Sequence, residues 1–159
     1  MYLFDTNVLS ELTKPRTNVN VVRKLLSCDR ALRFASEMSR YELRYGAALR
    51  PHDTALWPHI EREVLPRFTW LPIGAEESLL TADLCARLRL QGQTVEWVDL
   101  AIAATALTND LVVVTRNVRH FERVPDLSVE NWFENPWPMS RHPSPLIDPI
   151  DADGKGPFR

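Results

Sequence analysis

Cysteine is scarce in this chain: two residues in 159, Cys28 and Cys85. No CxxC pair or His/Cys cluster accompanies them, which excludes a disulfide framework and a zinc site. Two reduced, partly buried thiols are expected. Long apolar runs are missing as well. Nothing approaches the roughly 18–20 residues that span a bilayer. The opening Met1-Tyr2-Leu3-Phe4-Asp5 lacks the basic segment and apolar stretch of a signal peptide. A cytoplasmic location with no membrane contact is therefore expected. Basic excess is also absent, with a net charge of −2 and a pI of about 6.1. That excludes a domain that coats nucleic acid by charge alone. It leaves room for an enzyme that handles a nucleic acid at one local site, where clustered carboxylates would themselves pull the total charge down.

What is present suits one globular domain, at 45% hydrophobic and 25% charged residues. Tyr2-Leu3-Phe4 reads as a short strand ended by Asp5-Thr6-Asn7, followed by a helix over Val8–Leu12 that Lys14-Pro15 stops. Helical spacing covers Val19 to Ser27, a strand fits Ala31–Ala35, and a helix begins at Ser39 and runs to about Leu49. Residues 53–68 are amphipathic, with Pro58 in or near the first turn. Trp70–Ile73 reads as a strand and Glu76–Leu90 as a helix closed by Gly92. Leu100–Leu107 is an apolar helix. Leu111–Val114 is a β-branched run of the kind buried on both faces of a parallel sheet. A last strand fits Ser128–Trp132. Prolines then punctuate the sequence, and residues 138–159 are expected to be a flexible tail to a domain over 1–137. Asp151-Ala152-Asp153-Gly154 has too few ligand positions for a calcium loop.

Alternating strands and helices predict an α/β fold with a central, mainly parallel sheet flanked by helices. Ligands in such folds sit beyond the carboxyl ends of the strands. Asp5 follows the first strand, Asn117 follows the strongest strand, and Glu42 and Asp99 lie at helix starts. Each also has a structural reading. Asp5 and Asp99 can cap helices, Ser39-x-x-Glu42 forms a capping box, and Asn117 suits a turn.

Four segments resemble, in order, the signatures of PIN-domain ribonucleases, in particular VapC-type toxins and their FitB-like relatives. Leu3-Phe4-Asp5-Thr6-Asn7-Val8-Leu9-Ser10-Glu11 is similar to the N-terminal motif, and Glu42-Leu43-Arg44-Tyr45-Gly46 to the second. Asp99-Leu100-Ala101-Ile102-Ala103-Ala104-Thr105-Ala106 matches the third. Thr115-Arg116-Asn117-Val118-Arg119-His120-Phe121 resembles the fourth. The likeness spans about residues 1–137 and implies a PIN-like three-layer fold. It also implies an acidic site on Asp5, Glu42 and Asp99, with Asn117 at a fourth position that is often aspartate. There Asn117 would supply an amide oxygen or hold a water. Asn7 and Thr115 would be supporting residues, and Arg116 could steady a phosphate or be a solvated surface arginine.

The implied chemistry follows from charge. Carboxylates held together are costly unless a cation compensates, and oxygen-only ligation selects Mg²⁺ or Mn²⁺. Metal-activated water would then hydrolyse a phosphodiester. The resemblance implies an RNA substrate, a cognate VapB-like antitoxin, a homodimer, and contact with DNA only through the antitoxin. His120 reads as a surface or packing residue rather than a general acid, and Glu96 as a surface residue. The tryptophans are scattered, which favours packing over base stacking. Two rivals remain. Phe4-Asp5-Thr6-Asn7 faintly resembles the nucleophile loop of haloacid-dehalogenase-like phosphatases, but Asn7 stands where that chemistry needs a second acid. A non-catalytic PIN-fold binding module is the other.

Overall fold

Five short parallel strands carry the architecture, in the order β3-β2-β1-β4-β5. They are β1 (Tyr2–Phe4), β2 (Arg33–Ser36), β3 (Thr69–Leu71), β4 (Val112–Val114) and β5 (Val129–Glu130). The structure, a computed structural model, describes residues 1–134. The Pro-rich stretch expected as a tail, the 151–154 segment and Trp137 lie outside the described residues.

Among the described residues seven helices cover the sheet: α1 (Thr6–Glu11), α2 (Val19–Ser27), α3 (Glu37–Ala48), α4 (Leu56–Glu63), α5 (Ala75–Leu90), α6 (Trp97–Thr108) and α7 (Val118–Phe121). Strand periodicity sorts them into two layers. Phe4, Ala35 and Val114 point to one face and pack with Val8 and Leu9 of α1, Val21 and Leu25 of α2, Leu43 of α3 and Ile60 of α4. Leu3 and Val113 point to the other, against Leu84 and Leu88 of α5, Leu100 to Ala106 of α6 and Phe121 of α7. Each fully buried Leu, Val or Phe stabilises the fold by about 1.5–3 kcal/mol. The three-layer α/β reading holds, and β4 is buried on both faces as its composition requires.

Several element ends differ from expectation: α1 begins at Thr6 and α6 at Trp97, and β2 begins only at Arg33, after a 3₁₀ turn over Arg30–Leu32. Two further differences have plain physical reasons. The helix expected at Ser39 starts two residues earlier, at Glu37. Ser36, the last residue of β2, is its N-cap, and its Oγ accepts from the Met38 N–H at 3.2 Å. The Ser39–Glu42 capping box does not form. Ser39 is fully buried, and its Oγ has no partner among the described residues. The amphipathic stretch 53–68 yields only α4 and then a 3₁₀ turn, Leu65–Arg67. Pro66 lacks the N–H that a longer α-helix would need there. The end of α5 is as expected. Gly92 adopts φ +70°, Gly92 N–H reaches Arg89 O at 3.0 Å and Gln93 N–H reaches Leu88 O at 2.9 Å, a complete Schellman stop. Cys28 and Cys85 are free and partly buried.

The sheet order places a switch point between β1 and β4. From β1 the chain builds outward through β2 and β3; from β4 it builds the other way. A crevice at the carboxyl ends of these two central strands is where such folds bind ligands. The residues that leave those strands are Asp5 and Thr115.

Candidate active site

Asp5 is pinned where β1 ends. Its N–H continues the ladder to Val114 O at 3.0 Å, while its side chain caps α1 by accepting from Thr6 N–H at 2.6 Å. The capping role expected as an alternative is therefore real, but it occupies only Oδ1. Oδ2 accepts from the Thr115 hydroxyl at 2.7 Å and from the Asn7 amide at 2.5 Å. Asn7 also donates to Thr115 Oγ1 at 2.9 Å and accepts from the Arg116 N–H at 3.0 Å. Thr115 Oγ1 receives the Asn117 N–H at 2.9 Å. The two supporting residues thus lace the loop after β1 to the loop after β4 around one carboxylate.

That carboxylate is only 4% exposed and no cationic side chain touches it among the described residues. Burial raises the Asp5 carboxyl to about 7, and the charges of Asp99 and Glu42 add to the rise; the hydrogen bonds from Thr115 and the Thr6 N–H oppose it. Glu42 is raised too, by burial first and then by Asp99, against a bond from Thr6. The Thr6 hydroxyl donates to Glu42 Oε2 at 2.5 Å. Glu42 therefore turns to α1 and not back to its own helix start.

Asp99 lies in the first turn of α6, whose N-cap, the exposed Glu96, makes no side-chain cap bond. Asp99 does not cap the helix either. Its Oδ2 meets His120 Nδ1 at 2.7 Å, and the Asn117 side-chain nitrogen lies 2.7 Å from the same ring atom. Asn117 is the N-cap position of α7 and makes no side-chain cap bond there. It reaches the acids through His120 and touches none of the three directly. Arg116 sits 3.6 Å from Glu11 and over the Phe133 ring at 4.1 Å, half exposed. Glu11 is buried; burial pushes its carboxyl up, but bonds from Lys14 and the Asn18 N–H outweigh it and hold the group below its ordinary value.

The structure thus brings Asp5, Glu42 and Asp99 into one electrostatic field, with Asn7 and Thr115 inside the network. Each helix-borne acid has one oxygen, Oε1 of Glu42 and Oδ1 of Asp99, with no hydrogen bond among the described residues. No three His, Cys, Asp or Glu side chains among the described residues form a ready-made cage for an ion. Thr6, Glu11 and His120 are participants the sequence reading did not assign. Their contacts, Thr6 to Glu42, Glu11 to Arg116 and His120 to Asp99, join residues far apart in the chain, so local spacing carries no signal for them. The tryptophans follow the packing expectation in part. Trp132 is buried edge-on against Tyr2 and Phe4, Trp57 and Trp70 lie under Arg44 and Arg40, and Trp97 is exposed.

A parallel α/β domain with an acidic, oxygen-rich cluster at the carboxyl ends of its central strands is the class that fold and site define. The PIN domain family model matches residues 2–127, and the chain belongs to that family. It is 33% identical over 127 residues to the VapC ribonuclease Y4jK of Sinorhizobium fredii, covering 77% of this chain and 91% of that protein. It is 32% identical over 142 residues to the toxin FitB of Neisseria gonorrhoeae, covering 86% and 99%. The crystal structure of DNA-bound VapBC from Salmonella typhimurium superposes with a TM-score of 0.74 at 27% identity, covering 82% of this chain and 97% of that one. Among the described residues no helix is long and apolar enough to cross a membrane.

Proposed function

We propose that this chain is the toxin of a toxin–antitoxin pair, a divalent-metal-dependent ribonuclease that hydrolyses phosphodiester bonds in the cytoplasm. The observation that carries the reading is Asp5: a buried carboxylate raised to about 7, in the field of two further acids and touched by no cationic side chain among the described residues. Such a site is uncompensated as it stands, and its donors are all oxygen. That chemistry fits Mg²⁺ or Mn²⁺. Asp5 and Asp99 would hold it, with Glu42 contributing directly or through water. When bound, the ion lowers the pKa of a coordinated water and neutralises charge on the attacked phosphate.

The chain's own residues prepare that step. Thr6 N–H, Asn7 and Thr115 fix Asp5 in one orientation. Glu42, its carboxyl raised by burial, would accept a proton from water more readily than an exposed glutamate. Arg116, anchored on Glu11 but half exposed, can meet a phosphate. The fourth motif reaches Asp99 through His120, with Asn117 beside that ring. The phosphatase rival loses its ground, because Asn7 serves as a clamp between Asp5 and Thr115.

The relatives named above are a ribonuclease, a toxin and a complex on DNA. By that likeness the partners are a VapB-like antitoxin and RNA, with DNA met only through the antitoxin. A homodimer would account for exposed apolar side chains that a single core does not need. Tyr41 and Tyr45 stack at 6.0 Å on the open side of α3 beside exposed Leu49, and Leu79 and Leu90 are exposed on α5. The test is expression of wild type and Asp5→Asn in a host without the antitoxin, with RNA ends mapped after induction. New ends and growth arrest from wild type alone are expected. Equal toxicity, or none from either, overturns the proposal. An intact fold that binds no Mn²⁺ would point to the non-catalytic module.

A further inference from the structure

His120 is placed too deliberately for a surface histidine. Helix α7 has only four residues, yet its neighbours anchor it: Phe121 and Val124 are buried in the α5–α6 layer. The turn is closed by His120 N–H to Asn117 O at 3.1 Å, Glu122 N–H to Val118 O at 2.9 Å and Val124 N–H to Phe121 O at 3.0 Å. Core packing therefore decides where the imidazole goes, and it goes to Asp99 Oδ2, 2.7 Å away and 21 residues back in the chain. An ionised carboxylate only accepts hydrogen bonds, so Nδ1 carries the proton in this contact. The Asn117 amide also lies 2.7 Å from that nitrogen; with the proton on Nδ1 it cannot donate there, so Asp99 is the partner that sets the ring.

The contact has a consequence for Asp99. It is the sole protein hydrogen bond to that carboxylate among the described residues, and it takes Oδ2 and leaves Oδ1 open. Asp5, by contrast, is oriented by three donors. An acid half free to rotate is a poor ligand, since holding it costs rotamer entropy at the moment of binding. A donor fixed by the core removes that cost. Groups that hold a ligand in place from behind commonly matter about 10- to 100-fold in metal affinity.

We propose that His120 is a positioning residue: its Nδ1–H fixes the Asp99 carboxylate so that the remaining oxygen is presented to a divalent cation. The proposal rests on the metal-dependent reading of the acidic site. It assigns the fourth motif a role by way of its histidine, where the family resemblance pointed to Asn117.

Mn²⁺ titration calorimetry on the full chain tests it, with RNA cleavage as a second readout. His120→Ala is expected to weaken Mn²⁺ about tenfold or more, with an unchanged melting temperature in EDTA. His120→Asn places an amide donor at the reach of Nδ1 and is expected to recover most of that loss; His120→Gln, whose donor lies further out, is not. In an Asp99→Asn background, His120→Ala should have no further effect. Nitrogen-15 spectra of the imidazole should show the Nδ1–H form in wild type and its loss in Asp99→Asn. Wild-type Mn²⁺ affinity in His120→Ala, or an alanine loss that asparagine does not repair, overturns the positioning role while leaving the nuclease reading intact. A wild type that binds no Mn²⁺ overturns both.

Discussion

The acidic site is built from two kinds of support. Asp5 leaves a central strand and is held by three donors from its own loop and from the loop after β4. Glu42 and Asp99 come from helices and have one bond each, from Thr6 and His120. The strand-borne acid is fixed before any ligand arrives; the helix-borne acids each keep a free oxygen. A site of this kind combines one rigid reference point with two groups that can settle around it. The difference also divides the cost. Asp5 bears the larger burial penalty, visible in its rise to about 7, and Glu42 bears a smaller one. Asp99 and Glu42 add like charge to the field around Asp5.

The most severe way to test that division is Asp5→Asn. The amide keeps the shape but faces the Asn7 and Thr115 donors with an N–H₂ group, and it removes the charge at the rigid point. A loss of cleavage of about 1,000-fold or more is expected, corresponding to several kcal/mol of charge stabilisation. Glu42→Gln should cost less, about 100-fold, because the adjustable acid is one contributor among several. Single-turnover cleavage of a fixed RNA compares the two. A glutamine effect equal to the asparagine effect would remove the distinction between rigid and adjustable acids.

Asp5 also predicts a pH signature. Its folded-state value lies above the ordinary value of 3.8. The folded chain therefore holds a proton that the unfolded chain releases, and stability falls as pH rises from about 4 to about 7. Glu42 shifts in the same direction. Metal-free protein should lose on the order of a few kcal/mol between pH 5 and pH 8. Asp5→Asn should flatten most of that slope. Mn²⁺ at 100 times its Kd should restore about 2.7 kcal/mol at pH 8. Thermal melts with and without EDTA read all three. A metal-free melting temperature that climbs from pH 5 to pH 8 would contradict the placement of Asp5.

Much of this was legible before any coordinates. A carboxylate after an apolar strand and another at the start of an apolar helix are local signals, and Asp5 and Asp99 stand there. The parallel sheet followed from Leu111–Val114 in the same way. Glu42 was found by motif, but its local reading was wrong. Ser39 and Glu42 have capping-box spacing, yet β2 hands over to α3 at Ser36, so the box never forms and Glu42 is free to reach Thr6. No rule of spacing distinguishes Ser36 from Ser39, because the choice is made by where the sheet ends. His120 escaped for a related reason: its partner is set by the packing of Phe121, which is a tertiary fact. Motif position gives Asn117 an amide oxygen or a held water to offer at the site, and local sequence gives it a turn; in the structure its side chain meets His120.

Thr115→Val asks what the rigid half is worth to the fold. The substitution keeps volume and removes a hydroxyl that donates to Asp5 and accepts from Asn7 and the Asn117 N–H. Leaving buried donors unpaired costs about 1–3 kcal/mol, read from urea midpoints at pH 7. The same loss of a donor should raise the Asp5 carboxyl further, since the Thr115 bond opposes the shift. A valine variant with wild-type stability would mean that water replaces the hydroxyl without penalty.

The smallest expected effect concerns how the two adjustable acids are kept in step. Ser36 caps α3, which carries Glu42, and its Oγ lies 3.1 Å from Thr105 Oγ1 of α6, which carries Asp99. Thr105 donates its own proton to Ala101 O at 2.8 Å, so the Ser36 hydroxyl donates to Thr105 while accepting from Met38 N–H. One buried hydroxyl therefore ties both helices together beneath the site. Ser36→Ala should cost about 1 kcal/mol of stability, the usual loss for a removed cap. It should leave the pH dependence due to Asp5 in place, because no bond to that carboxylate passes through Ser36. If the helices need this tie to present their acids together, Mn²⁺ affinity falls a fewfold alongside stability. If affinity is untouched while stability drops, the sheet alone sets the spacing of the helix-borne acids, and the adjustable half of the site is more rigid than its single hydrogen bonds suggest.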